Sequence, residues 1–162
     1  MTYRLGDGRQ VIIRRAEKEE WETAMNLAFH VFLLFEADEY GKDGTDAFAH
    51  FVTDPMLKKL FLCNHYVVYV AVCDDTIIGV ASLRNGNHLS LLFVHEDYHN
   101  NGVASALLRT VFNHVTEEGE YSNVTVHSSP YAVEFYHKMG FYDTGIQMEE
   151  DGILYTPMNK DV

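Results

Sequence analysis

Between Val94 and Leu108 the chain reads Val-His-Glu-Asp-Tyr-His-Asn-Asn-Gly-Val-Ala-Ser-Ala-Leu-Leu. An apolar segment gives way to a polar turn rich in asparagine, and a helical pattern starts near Gly102. Backbone N–H groups at such a helix start have no intrahelical partner, and the aligned peptide dipoles favour negative charge there. A phosphate or pyrophosphate is the natural occupant. Glycine lets backbone approach a ligand closely, and asparagine tolerates the positive φ that such loops use. The same residues also spell a second chemistry. His95-Glu96-Asp97-Tyr98-His99 satisfies H-E-x-x-H, in which two imidazoles bind zinc and the glutamate serves as general base, and Glu118 stands at a plausible distance for a third ligand. Zinc chemistry of that kind needs both imidazoles on one face of a continuing helix. Asn100-Asn101-Gly102 predicts a turn instead.

The elements around this segment follow from pattern. Val11 to Arg15 predicts a short first strand. From Glu19 the apolar residues Trp21, Ala24, Met25, Ala28, Val31, Phe32 and Phe35 recur every three or four positions, which predicts one amphipathic helix ending near Gly41. A second helix is expected from Thr45 to His50. Asp54-Pro55 resembles a cap followed by proline in the first turn of a short helix to about Leu62. Tyr66–Cys73, Thr76–Leu83 and His88–Val94 are β-branched and apolar runs separated by Asp74-Asp75 and by Asn85-Gly86-Asn87, hence a β-meander. A helix carrying Val103, Leu107, Leu108, Val111 and Val115 comes next, then a strand around Val124 and Val126. Ser129-Pro130 is expected to cap a last helix through about Met139, and from Phe141 onward two strands broken at Asp151-Gly152 close the chain. Such an order predicts a mixed sheet with helices on both faces.

On two motifs the chain resembles the Gcn5-related N-acetyltransferases. Their pyrophosphate loop reads Gln/Arg-x-x-Gly-x-Gly/Ala after the fourth strand, and His99-Asn100-Asn101-Gly102-Val103-Ala104 is similar to it. The first position departs, being His99; Asn100 stands where glycine is common and Asn101 where a basic residue often sits. Downstream, Ala132-Val-Glu-Phe-Tyr136-His-Lys-Met-Gly140-Phe141 resembles the family's final helix and its Tyr…Gly-Phe ending. One helix and one strand separate the two motifs, as in the family. The resemblance covers residues 66–160 most clearly.

It implies one α/β (α+β) domain over residues 1–162, with a mixed, mostly antiparallel sheet flanked by helices. The activity it implies is acetyl transfer from acetyl-CoA to a primary amine, by direct attack in a ternary complex and without a metal. Tyr136 is then the general acid for the departing thiolate, a role suited to a phenol of pKa about 10. Implied cofactor-binding residues are Phe93 and Val94 beside the thioester, His99, Asn100, Asn101, Gly102, Val103, Ala104 and Ser105 around the pyrophosphate, and Tyr136 again. The base that receives the amine proton is sought among His88, His95, Glu96 and Asp97, near the cofactor-facing strand; Glu96 and His88 join Tyr136 in the expected catalytic set. Glu36 and Glu39, near the end of the first long helix, could line the acceptor side and attract a cationic amine, but are expected as a solvated helix end. Two other readings remain: a non-catalytic acyl-CoA-binding module on the same fold, and a zinc hydrolase using His95, Glu96 and His99.

Composition bounds the rest. The 162 residues suit a single domain. A content of 47% hydrophobic and 22% charged residues is that of an ordinary globular chain and excludes disorder. A net charge of −12 argues against nucleic acid and anionic membranes as partners, and fits a cationic acceptor. Cys63 and Cys73 are too few for a disulfide framework and are expected as reduced thiols. The run Met1 to Gly8 has no apolar core of a secretory signal, and Tyr66–Cys73 is far below the roughly 18 residues of a membrane span. A cytoplasmic protein is expected, and the resemblance allows a homodimer.

Overall fold

The structure, a computed structural model, describes residues 1–162. Its strands are β1 (Thr2–Arg4), β2 (Gln10–Arg15), β3 (Val67–Cys73), β4 (Thr76–Arg84), β5 (His88–Val94), β6 (Asn123–Ser128), β7 (Tyr142–Asp143), β8 (Met148–Glu150) and β9 (Ile153–Asp161). Its helices are α1 (Trp21–Phe35), α2 (Ala37–Val52), α3 (Pro55–Leu62), α4 (Val103–Glu118) and α5 (Val133–Lys138). The sheet runs β1-β2-β3-β4-β5-β6-β9-β7, with β8 paired to β9. Only β5 and β6 are parallel; the other pairs are antiparallel.

Turn chemistry builds the meander. Asp74 and Asp75 (φ 49° and 58°) join β3 to β4, and Asn85 and Gly86 (φ 53° and 85°) join β4 to β5. Two consecutive positive φ values give the turn whose twist matches a hairpin. Asp151 and Gly152 (φ 54° and 80°) repeat the device between β8 and β9. Alternation along each strand then feeds two cores. Val68, Val70, Val80 and Leu91 pack against Trp21, Ala24, Met25 and Ala28 of α1 and Leu57 and Phe61 of α3. Ala71, Cys73, Ile78 and Ala81 face the opposite way, onto Leu107, Leu108 and Val111 of α4. No helix is long and apolar enough to cross a membrane.

Three local features differ from the sequence-based expectation. The first long helix does not run to Gly41: it ends at Phe35, and Glu36 (φ −124°, ψ −26°) separates α1 from α2. The Glu36 N–H closes α1 on the Phe32 carbonyl at 2.9 Å, while its own carbonyl accepts from Glu39 and Tyr40 to open α2. Gly41 (φ 66°, ψ −166°) breaks α2 again, and the chain folds back so that Phe32 stacks on Phe48 at 4.2 Å and on Tyr40 at 5.2 Å. Ser129 does not cap the last helix. A 3-10 turn over Pro130–Ala132 precedes α5, and the Ser129 hydroxyl makes no capping bond. The short edge strand β1 carries too little pattern to be anticipated, and the strand expected from Phe141 is split into β7 and β8. The Asp54 cap, by contrast, is as expected: its carboxylate accepts the Met56 N–H at 2.9 Å, with Pro55 in the first turn.

Candidate active site

The site begins with a parting of strands. β5 and β6 pair only through His88↔Thr125 and Leu89↔Val126. On the other side of β5 the register passes from Leu83↔Leu89 to Ser82↔Leu91, so Ser90 is an extra residue, a bulge. A bulge bends its strand and sharpens the local twist. Beyond it β5 has no partner on the β6 side, and a cleft opens. The His95 N–H bonds to the Ile78 carbonyl. Alternation along the strand therefore turns the Val94 N–H and C=O toward the cleft.

The loop after β5 is held by its own side chains. His99 Nε2 donates to the Val94 carbonyl at 2.6 Å, and Asn101 Nδ2 donates to the His99 carbonyl at 2.9 Å. Asn100 (φ 61°) and Gly102 (φ 78°) take left-handed conformations that asparagine and glycine tolerate best. Together they turn the chain into α4. That helix has no side-chain cap and no acidic residue in its first turn, so the first amides keep their positive field. The His99 departure from the family motif thus has a structural meaning: its ring nitrogen is spent on bracing the loop.

Two cavities, each of about 410 Å³, flank this strand end. The loop cavity is lined by Val94, His99, Asn100, Gly102, Val103, Ala104 and Ser105, among others. An aromatic cavity lies on the far side, walled by Phe32, Tyr40, Phe48, Phe51, Phe93 and Tyr155, with Arg84, His88 and His127 at one end and Glu150 and Asp151 also on its lining. Five residues line both: Glu36, Leu92, Phe93, Ala132 and Tyr136. Any group passed between the cavities passes this wall.

Tyr136 is 6% exposed, with its ring edge-on to Phe135 at 5.4 Å and to Phe141 at 5.2 Å. Burial, then the nearby Glu36 and Tyr40, push its phenol well above the ordinary range, so it keeps its proton at neutral pH. Burial also pushes Glu36 up, to about 7, with Glu39 adding to the rise and the Ser129 hydroxyl opposing it. Ser129 is 6% exposed and its Oγ has no hydrogen-bond partner of good geometry, though it lies near enough to Glu36 and Tyr40 to favour ionisation of both.

Of the residues expected from sequence, Phe93, Val94, His99, Asn100, Gly102, Val103, Ala104, Ser105 and Tyr136 line the loop cavity; Asn101 braces the loop from outside it. Glu96 and His88 are not brought to Tyr136. Glu96 sits in a 3-10 turn over Glu96–Tyr98, outside both cavities, with His30 Nε2 at 2.9 and 3.0 Å from its carboxylate oxygens, which lowers its pKa. His88 lies at the Arg84 end of the aromatic cavity. Val94 is six residues further along β5, roughly 20 Å at about 3.3 Å per residue. Burial, then Arg84 and His127, push the His88 pKa down to about 4, and Nδ1 pairs with Thr125 Oγ1 at 2.8 Å.

The H-E-x-x-H residues do not form the zinc arrangement either. His99 turns its Nε2 to the Val94 carbonyl, and no continuous helix carries the motif. His95 and Glu96 instead cluster with His30, their ligand atoms within 4.8 Å of one another, near enough to converge on one ion. His95 Nδ1 accepts the Asp97 N–H, which leaves the proton on Nε2, 3.6 Å from Glu96. Metal-bound histidines usually donate from their second nitrogen, so this arrangement is that of a hydrogen-bonded cluster. Glu36 is the residue whose place at the wall was least evident from pattern: it sits at the bend between α1 and α2, ahead of the break at Gly41.

Comparison with known proteins agrees with the geometry. The family model described as acetyltransferase (GNAT) domain matches residues 36–162. A GCN5-related N-acetyltransferase from Rhodopseudomonas palustris has a similar structure, with TM-score 0.81 and 21% identity over 100% of this chain and 98% of that one. The PaiA N-acetyltransferase of Thermoplasma acidophilum, solved in complex with coenzyme A, gives TM-score 0.75 at 19% identity over 94% and 99%. A chimera of the spermidine N-acetyltransferase SpeG of Vibrio cholerae gives 0.65 at 16% identity over 93% and 95%. The family match spans most of the sequence, from Glu36 at the cavity wall to the last strand, and the chain belongs to the GNAT acetyltransferase family.

Proposed function

We propose that this protein is an acetyl-CoA-dependent N-acetyltransferase that passes the acetyl group to a primary amine by direct attack, with both substrates bound together. The observation that carries this reading is the shared wall. A pyrophosphate-type loop opens one cavity, an aromatic cavity lies beyond, and Tyr136 with Glu36 stands where they meet. When bound, acetyl-CoA supplies a thioester carbonyl open to nucleophiles.

The residues present fit it. The free amides at the start of α4 would hold the pyrophosphate, with Asn100 and Gly102 giving the required turn. The open edge of β5 at Val94 would take the pantetheine arm as a partner strand would, and a strand N–H there would favour negative charge building on the carbonyl oxygen. Tyr136, kept protonated by its burial, would hand its proton to the departing sulfur. That the Thermoplasma relative is in complex with coenzyme A supports the cofactor assignment.

The test pairs binding with turnover. Acetyl-CoA at a hundred times its dissociation constant is expected to stabilise the protein by about 2.7 kcal/mol, seen as a raised Tm. Tyr136→Phe is expected to keep that shift and to lose about 100-fold or more in kcat. A Tm shift with no acetylated amine from wild type or variant would favour the non-catalytic module, and no shift at all would refute the cofactor assignment.

A further inference from the structure

We propose that Glu36 is the catalytic base that receives the acceptor amine's proton, with Ser129 as its positioning partner. The assignment rests on the acetyltransferase reading above and names a residue that the loop and tyrosine motifs do not contain.

Position carries it. Glu36 is the only carboxylate lining both cavities, and it shares that wall with Tyr136. It is held at the bend between α1 and α2, where its N–H and C=O are both engaged. The carboxylates that do have cationic partners, among them Asp7, Glu20 and Glu22, lie elsewhere. No lysine or arginine lies within ion-pair distance of Glu36, so a carboxylate stands among Phe32, Phe93 and Ala132 without a counter-charge. A half-buried charge without a partner carries a desolvation cost, and an incoming ammonium is the partner that fits. Ser129 adds a buried hydroxyl on the lining of the aromatic cavity, near enough to Glu36 to favour its ionised form. Glu96 is taken by His30, and His88 by Thr125 at the cavity's far end.

The protons balance as follows. The ammonium nitrogen gives one proton to a Glu36 carboxylate oxygen, and its lone pair then forms the C–N bond to the carbonyl carbon. The C–S bond breaks, and its electron pair leaves on sulfur, which takes the Tyr136 proton. Nitrogen loses a second proton, which restores Tyr136, and Glu36 releases its own to solvent. One proton stays on the amide, one ends on CoA and one is free.

Groups facing Glu36 are Glu39 and Tyr40 from α2, Ser129 after β6, and Tyr136 from α5; β5 presents only Leu92 and Phe93. Arg84, His88, His127, Glu150 and Asp151 lie further along the aromatic cavity, and Tyr98 and His99 in the loop cavity. Raised to about 7, Glu36 gains base form as pH rises through neutrality. Wild-type kcat/KM should therefore fall with unit slope below about pH 7.

The experiment measures CoA release from acetyl-CoA with spermidine, L-lysine and 2-phenylethylamine as acceptors, across that pH range. Glu36→Gln should lose about 100-fold or more in kcat and lose the acid limb, with acetyl-CoA affinity unchanged. Glu36→Asp should restore part of the rate. Ser129→Ala should move the acid limb to higher pH, because the hydroxyl favours the ionised carboxylate. A folded Glu36→Gln protein with wild-type rate and limb would overturn the assignment alone. Wild type that binds acetyl-CoA but releases no CoA with any of the three amines would overturn the acetyltransferase reading, and the base assignment with it.

Discussion

Burial pushes the pKa of both Glu36 and Tyr136 up, and the Glu36 charge makes the phenol harder still to ionise. The tyrosine therefore keeps its proton at neutral pH, as the proposed acid role requires. For the glutamate, burial sets a stability cost whose sign can be worked out. Folding raises the Glu36 pKa from 4.5 to about 7, so the folded state holds that proton more tightly than the unfolded chain. The stabilising contribution is complete below about pH 4.5 and is lost as pH rises through about 7. Glu36→Gln should therefore match wild type near pH 4.5 and be more stable by about 1–3 kcal/mol near pH 8, by urea titration. Equal stability at both pH values would contradict the burial account. His88 has the opposite sign: its folded pKa of about 4 lies below the ordinary 6.5, so its contribution is present above 6.5 and is lost as pH falls through about 4.

At the scale of elements, the active cleft follows from one extra residue in β5 and one left-handed glycine before α4. Gly102 has φ 78°, and nothing lies within 4 Å of a Cβ built there. Gly102→Ala should thus cost only backbone strain, about 1–2 kcal/mol, while shifting the α4 amides enough to weaken acetyl-CoA binding in a titration. Affinity equal to wild type would remove those amides from the binding site. The turns of the meander were legible because Asp-Asp and Asn-Gly are local signals, as was α4 from its spacing of valines and leucines. Nothing local marks the break at Glu36. Val31 to Phe35 continues the helical pattern into Glu36; the sharp break comes at Gly41, and Phe32, Tyr40 and Phe48 meet across α1 and α2. For the same reason a carboxylate that reads as a helix-end residue becomes part of the wall, whereas Glu96, which adjoins the strand, is drawn outward by His30. Ser129-Pro130 has the form of a cap, but the 3-10 turn that follows sends the hydroxyl into the cavity instead.

For the whole molecule, the net charge of −12 opposes a polyanionic cosubstrate. The loop cavity has no lysine or arginine on its lining, so its attraction for phosphate comes from backbone amides and acts at short range. Raising ionic strength from about 0.01 to 0.15 M shortens the Debye length from about 30 to 8 Å, which screens the long-range repulsion first. The association rate for acetyl-CoA should rise severalfold over that range in stopped-flow binding; a fall would mean that an unseen basic patch steers the ligand. The most direct test of the central claim is mass spectrometry of the amine after incubation with acetyl-CoA and enzyme. The account predicts an acetylated amine in one-to-one proportion to released CoA, lost with Tyr136→Phe. Bound acetyl-CoA with unmodified amine would contradict it.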